Sequence, residues 1–367
     1  MATVTRRTRG AHQDGNAVTP TKTDVSTTNA DMKTEDFAPV IEQTEDHVVL
    51  DLKNGHPCTF STIMTLFWYH LFIFSPLAPP IIYGALYLLY RQLGYGVWVV
   101  WFLLNLVLFL VPPYYNRAFR QKHLRKVYIP LAHYAKSSKV VLPAKRFPED
   151  RSYILGVHPH GRVMYSTSLI SQVYDVFTRV LPDKGDLFGA AAGGFFNVPI
   201  IRNWFYALGA VPAGRSSLKK QLNKGNNILI VVGGVKEVCI PTYPDKDVLY
   251  LKKRLGFIKL AMETNAGVVP VYLFNENSLF ESQPLWFLKF WEKANRYVNV
   301  GVPFFRGIYH LPFPFQRDLI IAFGEPLFAK EGESAESFHA RYIEALQNLF
   351  DKYVGMTVNP KHKLIIT

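Results

Sequence analysis

The pattern of apolar and polar positions divides the chain into three parts. Residues 1–55 are rich in Thr, Asp, Lys and Asn and hold few large apolar side chains. Such a stretch buries too little surface to offset the entropy of ordering, so we expect a disordered tail there. Residues 56–116 are nearly free of charge, and residues 117–367 alternate apolar runs with amphipathic stretches.

Two uncharged runs in the second part predict a membrane hairpin. No charged residue occurs from Gly55 to Tyr90 or from Gln92 to Asn116. Val97–Val111 is shorter than the roughly 20 apolar residues that span a bilayer, so the pattern leaves open whether the hairpin crosses the bilayer or dips into it. Basic residues within Arg117–Lys126 predict that both ends face the cytosol. Two buried core helices are the alternative interpretation.

The third part has the pattern of an α/β domain with a mainly parallel sheet. The predicted strands are Tyr153–Val157, Asn227–Val232 and Val268–Phe274. The predicted helices are Gly256–Asn265 and Ala335–Tyr353. Pro270 has no N–H group to donate a hydrogen bond to a neighbouring strand. We therefore expect the third strand to lie at an edge of the sheet or to begin near Pro270. Gly267 is the expected stop of the first helix.

Candidate chemistry follows the first of these strands directly. The strand ends at His158-Pro-His-Gly161, and open α/β sheets place functional groups at the carboxyl ends of their strands. Histidine takes and returns a proton near neutral pH. The alternatives are that His158 and His160 only cap a turn, or that they bind a metal. We expect no metal, because a third and a fourth ligand at zinc-site spacing are missing.

Charge and aromatic content favour a lipid partner. The net charge is +13, and Leu52–Pro148 contains eleven Lys and Arg but no Asp or Glu. Basic residues that flank apolar runs indicate an anionic lipid surface and not nucleic acid. Phe280–Phe315 holds eleven aromatic residues mixed with basic ones, which suits a bilayer interface, with core packing as the alternative. Two distant cysteines, Cys58 and Cys239, exclude a disulfide framework and favour a cytosolic face.

Six short motifs occur in a fixed order after the predicted hairpin. They are Tyr153–Gly161 with its His-Pro-His-Gly, Gly194–Arg202, Gly225–Glu237, Arg254–Ala261, Val269–Val271 with Asn275–Asn277, and Gly324–Pro326. Together they resemble the type-2 diacylglycerol acyltransferase family. The resemblance covers nearly everything after the hairpin and departs from the family at Asn275, where glycine is usual.

The resemblance implies an acyl-CoA-dependent O-acyltransferase that esterifies diacylglycerol to triacylglycerol. His160 would take the proton from the acceptor hydroxyl as it attacks the thioester, with His158 in support. Related glycerolipid acyltransferases pair their catalytic histidine with an aspartate five positions on, where this chain has Val163 or Tyr165. Glu237 is therefore the expected partner of the imidazole, as the carboxylate is in hydrolase triads.

Acyl-CoA is the implied co-substrate, and no tightly bound cofactor is expected. Main-chain N–H groups near Gly161 would stabilise the oxyanion. The basic run Lys252–Arg254 offers charge for the coenzyme A phosphates, although a solvated surface is the alternative. The predicted coenzyme-binding residues are Gly161, Lys252, Lys253, Arg254, Gly256 and Phe257. The implied location is the endoplasmic reticulum membrane, with the catalytic domain facing the cytosol, and the lipid droplet surface.

Other functions stay open at this point. The sequence does not decide whether the acceptor is diacylglycerol, monoacylglycerol or a long-chain alcohol. It also leaves open the acyl-chain preference and whether the chain self-associates. A membrane-anchored lipid hydrolase needs a G-x-S-x-G nucleophile elbow, which the chain lacks. A non-enzymatic lipid-droplet scaffold predicts no turnover of acyl-CoA.

Overall fold

The structure is a computed structural model that describes nine stretches of the chain and two single residues. They are residues 39–53, 78–111, 113–172, 179–182, 185–197, 199–298, 305–311, 313–357 and 359–367, with Ile63 and Leu66. All of these residues belong to one unit, Phe37–Thr367. Most of the predicted tail, residues 1–38, lies outside the described residues.

Eleven strands occur in the described part of the chain. They are β1 Val40–Gln43, β2 His47–Asp51, β3 Ser137–Pro143, β4 Tyr153–His158, β5 Leu187–Ala191, β6 Ala210–Pro212, β7 Asn227–Val231, β8 Lys246–Leu249, β9 Gly267–Phe274, β10 Asp318–Phe323 and β11 Lys363–Ile366. Strands β1 and β2 fall inside the predicted disordered tail, so that prediction is wrong for them. Val49 and Leu50 are buried there, which anchors β2 to the core.

Ten longer helices are described between and after the strands. They are α1 Ala78–Leu93, α2 Gly96–Leu110, α3 Arg125–Tyr134, α4 Tyr165–Gln172, α5 Pro199–Ala207, α6 Arg215–Leu222, α7 Gly234–Val238, α8 Gly256–Thr264, α9 Leu285–Val298 and α10 Ala335–Tyr353. A short helix at Arg117–Phe119 and a π-helical turn at Arg120–Leu124 lead into α3. Single 3₁₀ turns lie at Gly193–Asn197, Glu276–Leu279, Ile308–His310 and Val354–Met356.

Nine strands form one sheet in the order β1-β2-β3-β10-β9-β4-β7-β5-β6. The run β9-β4-β7-β5-β6 is parallel throughout, and β3 also pairs with β10 in parallel. The pairs β1–β2, β2–β3 and β10–β9 are antiparallel. The prediction of an α/β fold with a mainly parallel sheet is therefore confirmed.

Side chains alternate between two cores on the two faces of this sheet. Leu155 of β4 faces a core that also contains Leu131 of α3 and Leu169 of α4. Ile154 faces the opposite core, which holds Phe257 of α8 and Tyr342 of α10. Helix α10 was predicted with its exact bounds, because its apolar residues repeat at helical spacing over five turns.

The third predicted strand corrects two expectations. β9 lies in the centre of the sheet between β4 and β10, and not at an edge. Pro270 lies opposite Gly324, directly after β10 ends at Phe323, and its carbonyl still accepts a hydrogen bond from the Gly324 N–H (2.9 Å), so only the N–H that proline lacks is missing from the pairing. The helix before it ends at Asn265, which adopts the left-handed conformation (φ 53°) expected of Gly267.

Helices α1 and α2 occupy the predicted hairpin. Every α2 side chain is exposed or only partly buried, although nearly all of them are apolar. Arg202 of α5 donates hydrogen bonds to the carbonyls of Leu108 (2.8 Å), Phe109 (3.1 Å) and Val111 (3.0 Å), which attaches the end of α2 to the sheet domain. Among the described residues, no helix combines the length and apolarity that crossing a membrane requires.

Candidate active site

The candidate site lies where β4 and β7 end side by side. The two strands pair in parallel, with Val157 opposite Val231. Carboxyl ends of neighbouring parallel strands meet at one edge of a sheet, so the chain after each strand enters the same space. His160 follows β4, and Glu237 follows β7 on the short helix α7. The structure thus brings together the two residues that the sequence analysis paired.

Glu237 binds the main chain of His160 and not its ring. Its Oε2 accepts a hydrogen bond from the backbone N–H of His160 (2.7 Å), and its Oε1 accepts one from the N–H of Tyr250 (3.0 Å). Burial raises the pKa of Glu237 to about 7, against the opposite effect of these two donors and of Arg254. Gly233 passes so close that a Cβ would overlap the carboxylate. The expectation that Glu237 holds the imidazole is therefore wrong.

The main-chain carbonyl of Gly161, and not a carboxylate, accepts the hydrogen bond from the ring of His160. It lies 3.1 Å from Nδ1 of His160, and a carbonyl only accepts, so Nδ1 carries the proton. Nε2 is then the basic nitrogen, and it has no hydrogen-bond partner among the described residues. Burial lowers the pKa of His160 to about 4, so its ring is neutral at pH 7 and able to accept a proton.

His158 points away from this space into the core. It shares the sheet face of Ile154, since side chains of a strand alternate. Tyr342 donates its hydroxyl hydrogen to the carbonyl of Gly156 (3.1 Å), so Nε2 of His158 donates to the same hydroxyl oxygen (3.0 Å). Burial lowers the pKa of His158 to about 3. His158 is therefore a core residue, and the expectation that its ring supports His160 in the site is wrong.

The sequence analysis missed Glu276 as a residue that shapes the site. Its carboxylate is buried and accepts hydrogen bonds from the N–H groups of Tyr165 (2.6 Å) and Ser166 (3.0 Å) at the start of α4. Gly161 has φ +62°, and a Cβ there would lie 2.6 Å from Cγ of Glu276. Glycine is required at position 161 for both reasons. The only signal in the sequence was its motif, Asn275–Asn277.

Arg162 fixes the opposite wall of the site. Its guanidinium is buried and donates to the carbonyls of Val238 and Ile240, the latter at 3.1 Å. Burial lowers the pKa of Arg162 to about 10, so it stays charged at neutral pH. A cavity of about 10 Å³ beside Gly161 and Glu237 has room for about one water molecule.

Most of the predicted coenzyme-binding residues line one larger cavity, of about 340 Å³. Its basic residues are Lys253, Arg254 and Arg215, and its apolar wall includes Phe257 and Ile230. The other lining residues are Ala213, Leu218, Val232, Gly256 and Leu260. The sequence analysis missed the contributions of α6, namely Arg215 and Leu218, because they are distant in the chain.

Arg254 connects this larger cavity to the site. Its guanidinium donates to the carbonyl of Gly233 (2.7 Å), next to the carboxylate of Glu237. Lys252 is exposed and does not line the cavity, and its N–H binds the main-chain oxygen of Thr367 instead. Gly161 also lies elsewhere, at the small cavity.

An apolar cavity of about 100 Å³ lies on the opposite face of the sheet. Leu229 and Val231 of β7 line it, whereas Ile230 faces the larger cavity. Met164 and Thr167 form its wall beside the start of α4, just after the His-Pro-His-Gly motif. The end of β7 therefore separates a basic-rimmed cavity from an apolar one.

Metal ligands are not grouped in this part of the chain. No three His, Cys, Asp or Glu side chains among the described residues are close enough together to hold a metal ion. His158 and His160, the pair considered from the sequence, point in different directions.

Comparison with known proteins identifies the family. A model described as diacylglycerol acyltransferase matches residues 90–367, so the chain belongs to the diacylglycerol acyltransferase family. It is 29% identical to 2-acylglycerol O-acyltransferase 1 of Bos taurus, covering 59% of this chain and 70% of that protein. It is 30% identical to diacylglycerol O-acyltransferase 2 of Danio rerio, covering 59% and 65%, and of Homo sapiens, covering 55% and 57%.

One solved structure shows a weaker likeness. The 1-acyl-sn-glycerophosphate acyltransferase PlsC of Thermotoga maritima matches 78% of this chain and 96% of its own, with 17% identity and a TM-score of 0.35.

Proposed function

We propose that this chain transfers an acyl group from acyl-CoA to the free hydroxyl of diacylglycerol, giving triacylglycerol and coenzyme A. The observation that carries the proposal is the neutral ring of His160. Its Nδ1 is engaged by the Gly161 carbonyl, and its Nε2 is left as a base at the edge of the sheet. Family membership supplies the substrate class.

Acyl-CoA fits the larger cavity best. Lys253 and Arg254 present positive charge to the coenzyme's phosphates, whereas the Arg215 guanidinium at the same rim already pairs with the Glu263 carboxylate. The apolar wall with Phe257 suits the uncharged part of the ligand. Because Arg254 also binds Gly233, a ligand at this rim adjoins the carboxylate that holds His160.

The reaction needs one base and one oxyanion site. Nε2 of His160 removes the hydroxyl proton as the acceptor oxygen forms a bond to the thioester carbonyl carbon. The tetrahedral oxyanion requires N–H donors, and we assign this role to main-chain N–H groups near Gly161. Collapse breaks the C–S bond, and the imidazolium returns its proton to the coenzyme A thiolate. No covalent enzyme intermediate forms, because the thioester is already activated.

The low pKa of His160 bears on this step. An imidazolium that has no carboxylate beside it is more acidic than one that is paired with a carboxylate. It therefore returns its proton readily to the leaving thiolate. Glu237 contributes by holding the main chain of His160 in place, through the bond at 2.7 Å. It is therefore a positioning residue in this mechanism.

Membrane attachment is part of the proposal. The exposed apolar side chains of α1 and α2 suit the hydrocarbon region, and Arg117 and Lys122 follow them closely. We place the hairpin at 56–116 and the catalytic domain at 117–367, facing the cytosol at the endoplasmic reticulum and lipid droplets. Tags at Met1 and Thr367 should both be accessible in membranes sealed against the lumen. A single protected tag contradicts this topology.

The activity is tested with purified protein and labelled oleoyl-CoA. Diacylglycerol, monoacylglycerol and hexadecanol are offered separately, and the labelled ester is identified. We expect triacylglycerol as the main product, and its loss in His160→Ala. A different main ester corrects the acceptor, free fatty acid alone indicates a hydrolase, and no turnover by folded protein indicates a scaffold.

A further inference from the structure

Helix α9 carries a row of exposed apolar side chains beside lysines. Trp286 and Phe290 are 71% and 61% exposed and lie four residues apart, on one side of the helix. Lys289 and Lys293 are exposed next to them. Tryptophan and lysine on one helix surface are typical of helices that lie in a membrane interface.

The opposite side of α9 is attached firmly to the domain. Leu288 is buried, and the rings of Phe287 and Trp291 stack on each other at 6.3 Å on the half-buried side. The side of α9 that packs against the core is thus already buried, and the exposed row lies on the other side. It is the outer surface of a docked helix.

A neighbouring loop also exposes apolar side chains. Tyr309 is 88% exposed, and Leu311 and Phe313 are also exposed. This loop is attached just before α9, because the N–H of Glu281 donates to the carbonyl of Arg306 (2.7 Å). The Arg306 guanidinium lies 3.9 Å from the Glu281 carboxylate, which partly offsets the acidic charge at this point. We call Trp286, Lys289, Phe290, Lys293, Tyr309, Leu311 and Phe313 the α9 surface.

The α9 surface adjoins the candidate active site. Helix α9 contacts α7, which carries Glu237. Ser282, just before α9, accepts a hydrogen bond from the N–H of Thr242 (3.2 Å), a residue that lines the small cavity. Burial, and next to it Glu292 of α9, raises the pKa of the Cys239 thiol. A partner bound to this surface would therefore be separated from the wall of the site only by helix α9 itself.

We infer that the α9 surface rests on an anionic bilayer and is a second membrane contact, beside which the lipid acceptor enters the site. Its side chains are aromatic and basic, which suits the glycerol and headgroup region of lipids. The net charge of +13 acts in the same direction. Only the identity of the entering lipid rests on the proposed function, because the membrane contact follows from the surface alone.

The contact is tested with a fluorescent probe in the full-length chain. Phe290→Cys, with Cys58→Ser and Cys239→Ser, is labelled with nitrobenzoxadiazole and reconstituted in vesicles of phosphatidylcholine and phosphatidylserine. Met356→Cys, at an exposed apolar residue after α10, is the matched control. Brominated acyl chains should quench the probe at position 290 and leave the probe at position 356 unchanged. If brominated lipid leaves the emission of the probe unchanged at position 290 as well as at position 356, the membrane contact is overturned. A protein partner is then the alternative.

Acceptor entry is tested in the chain with its native cysteines. Trp286→Glu with Phe290→Glu should raise the KM for vesicle-borne diacylglycerol roughly tenfold or more, because apolar burial in lipid is lost. The KM for acyl-CoA and turnover on a water-soluble short-chain acceptor should stay unchanged. An equal loss with both acceptors overturns the entry role. Absence of any turnover in the native chain counts against the proposed function, while the quenching result still decides the contact.

Discussion

Replacing Glu237 by glutamine separates a positioning carboxylate from an ion-pair partner. The native carboxylate accepts hydrogen bonds from the N–H groups of His160 (2.7 Å) and Tyr250 (3.0 Å). Glutamine has the same shape but only one accepting oxygen, so its NH₂ group faces one of these N–H groups. A buried donor without an acceptor costs about 1–3 kcal/mol, and we expect the free energy of unfolding to fall by that amount.

Turnover should fall in the same variant. Displacement of the His160 main chain by about 1 Å costs up to roughly 10²-fold, so kcat is expected to drop between about 10- and 100-fold. Denaturant unfolding in detergent and turnover of labelled acyl-CoA are measured on the same preparations. Glu149→Gln is the matched control, because Glu149 is exposed and, within the described part of the chain, forms an ion pair with Arg146 alone, at 3.7 Å. Its unfolding free energy should change by less than about 0.5 kcal/mol.

The pH dependence of the same comparison has a definite sign. Burial raises the pKa of Glu237 from 4.5 to about 7, so the folded chain holds this proton more tightly than the unfolded chain. The stability that Glu237 contributes is therefore present at low pH and is lost as the pH rises from 4.5 to about 7. The deficit of Glu237→Gln should be larger at the acid end of this range. A variant that loses turnover but no stability at any pH would refute the main-chain role.

The remaining predictions concern the histidines and the basic cavity. His160→Ala should lower turnover roughly 10²-fold or more with unchanged unfolding, and near-normal turnover would exclude it as the base. His158→Ala removes a buried ring and its bond to Tyr342, so it should destabilise the fold by about 2–4 kcal/mol and affect turnover less; the reverse order would contradict its core position. On the acid side of the pH profile, kcat/KM should fall to half its plateau value near pH 4, because burial lowers the pKa of His160 to about 4. A midpoint near pH 6.5 would show a solvated ring. Lys253→Ala should raise the KM for acyl-CoA several-fold without changing kcat, and Lys252→Ala, outside the cavity, should not; equal effects would indicate unspecific charge.

The sequence by itself determined which segments are buried and where the site begins. The apolar runs at Tyr153–Val157 and Asn227–Val232 predicted β4 and β7 within one residue. The helical repeat of α10 predicted Ala335–Tyr353 exactly. These features depend on neighbours a few positions away, which a periodic pattern records directly. The His-Pro-His-Gly motif located the site because it directly follows such a run.

Tertiary structure alone decided what each side chain of the site contacts. Glu237 lies 77 positions from His160, and which atom of His160 it binds depends on how β4 and β7 pair and on the turn into α7. Glu276 and Arg215 reach their places through crossovers that no local pattern records, and β9 became central through the strand order. A shift of one residue along a strand reverses the face of each side chain, so the outward His160 and the inward His158 were fixed only by the register and the turn.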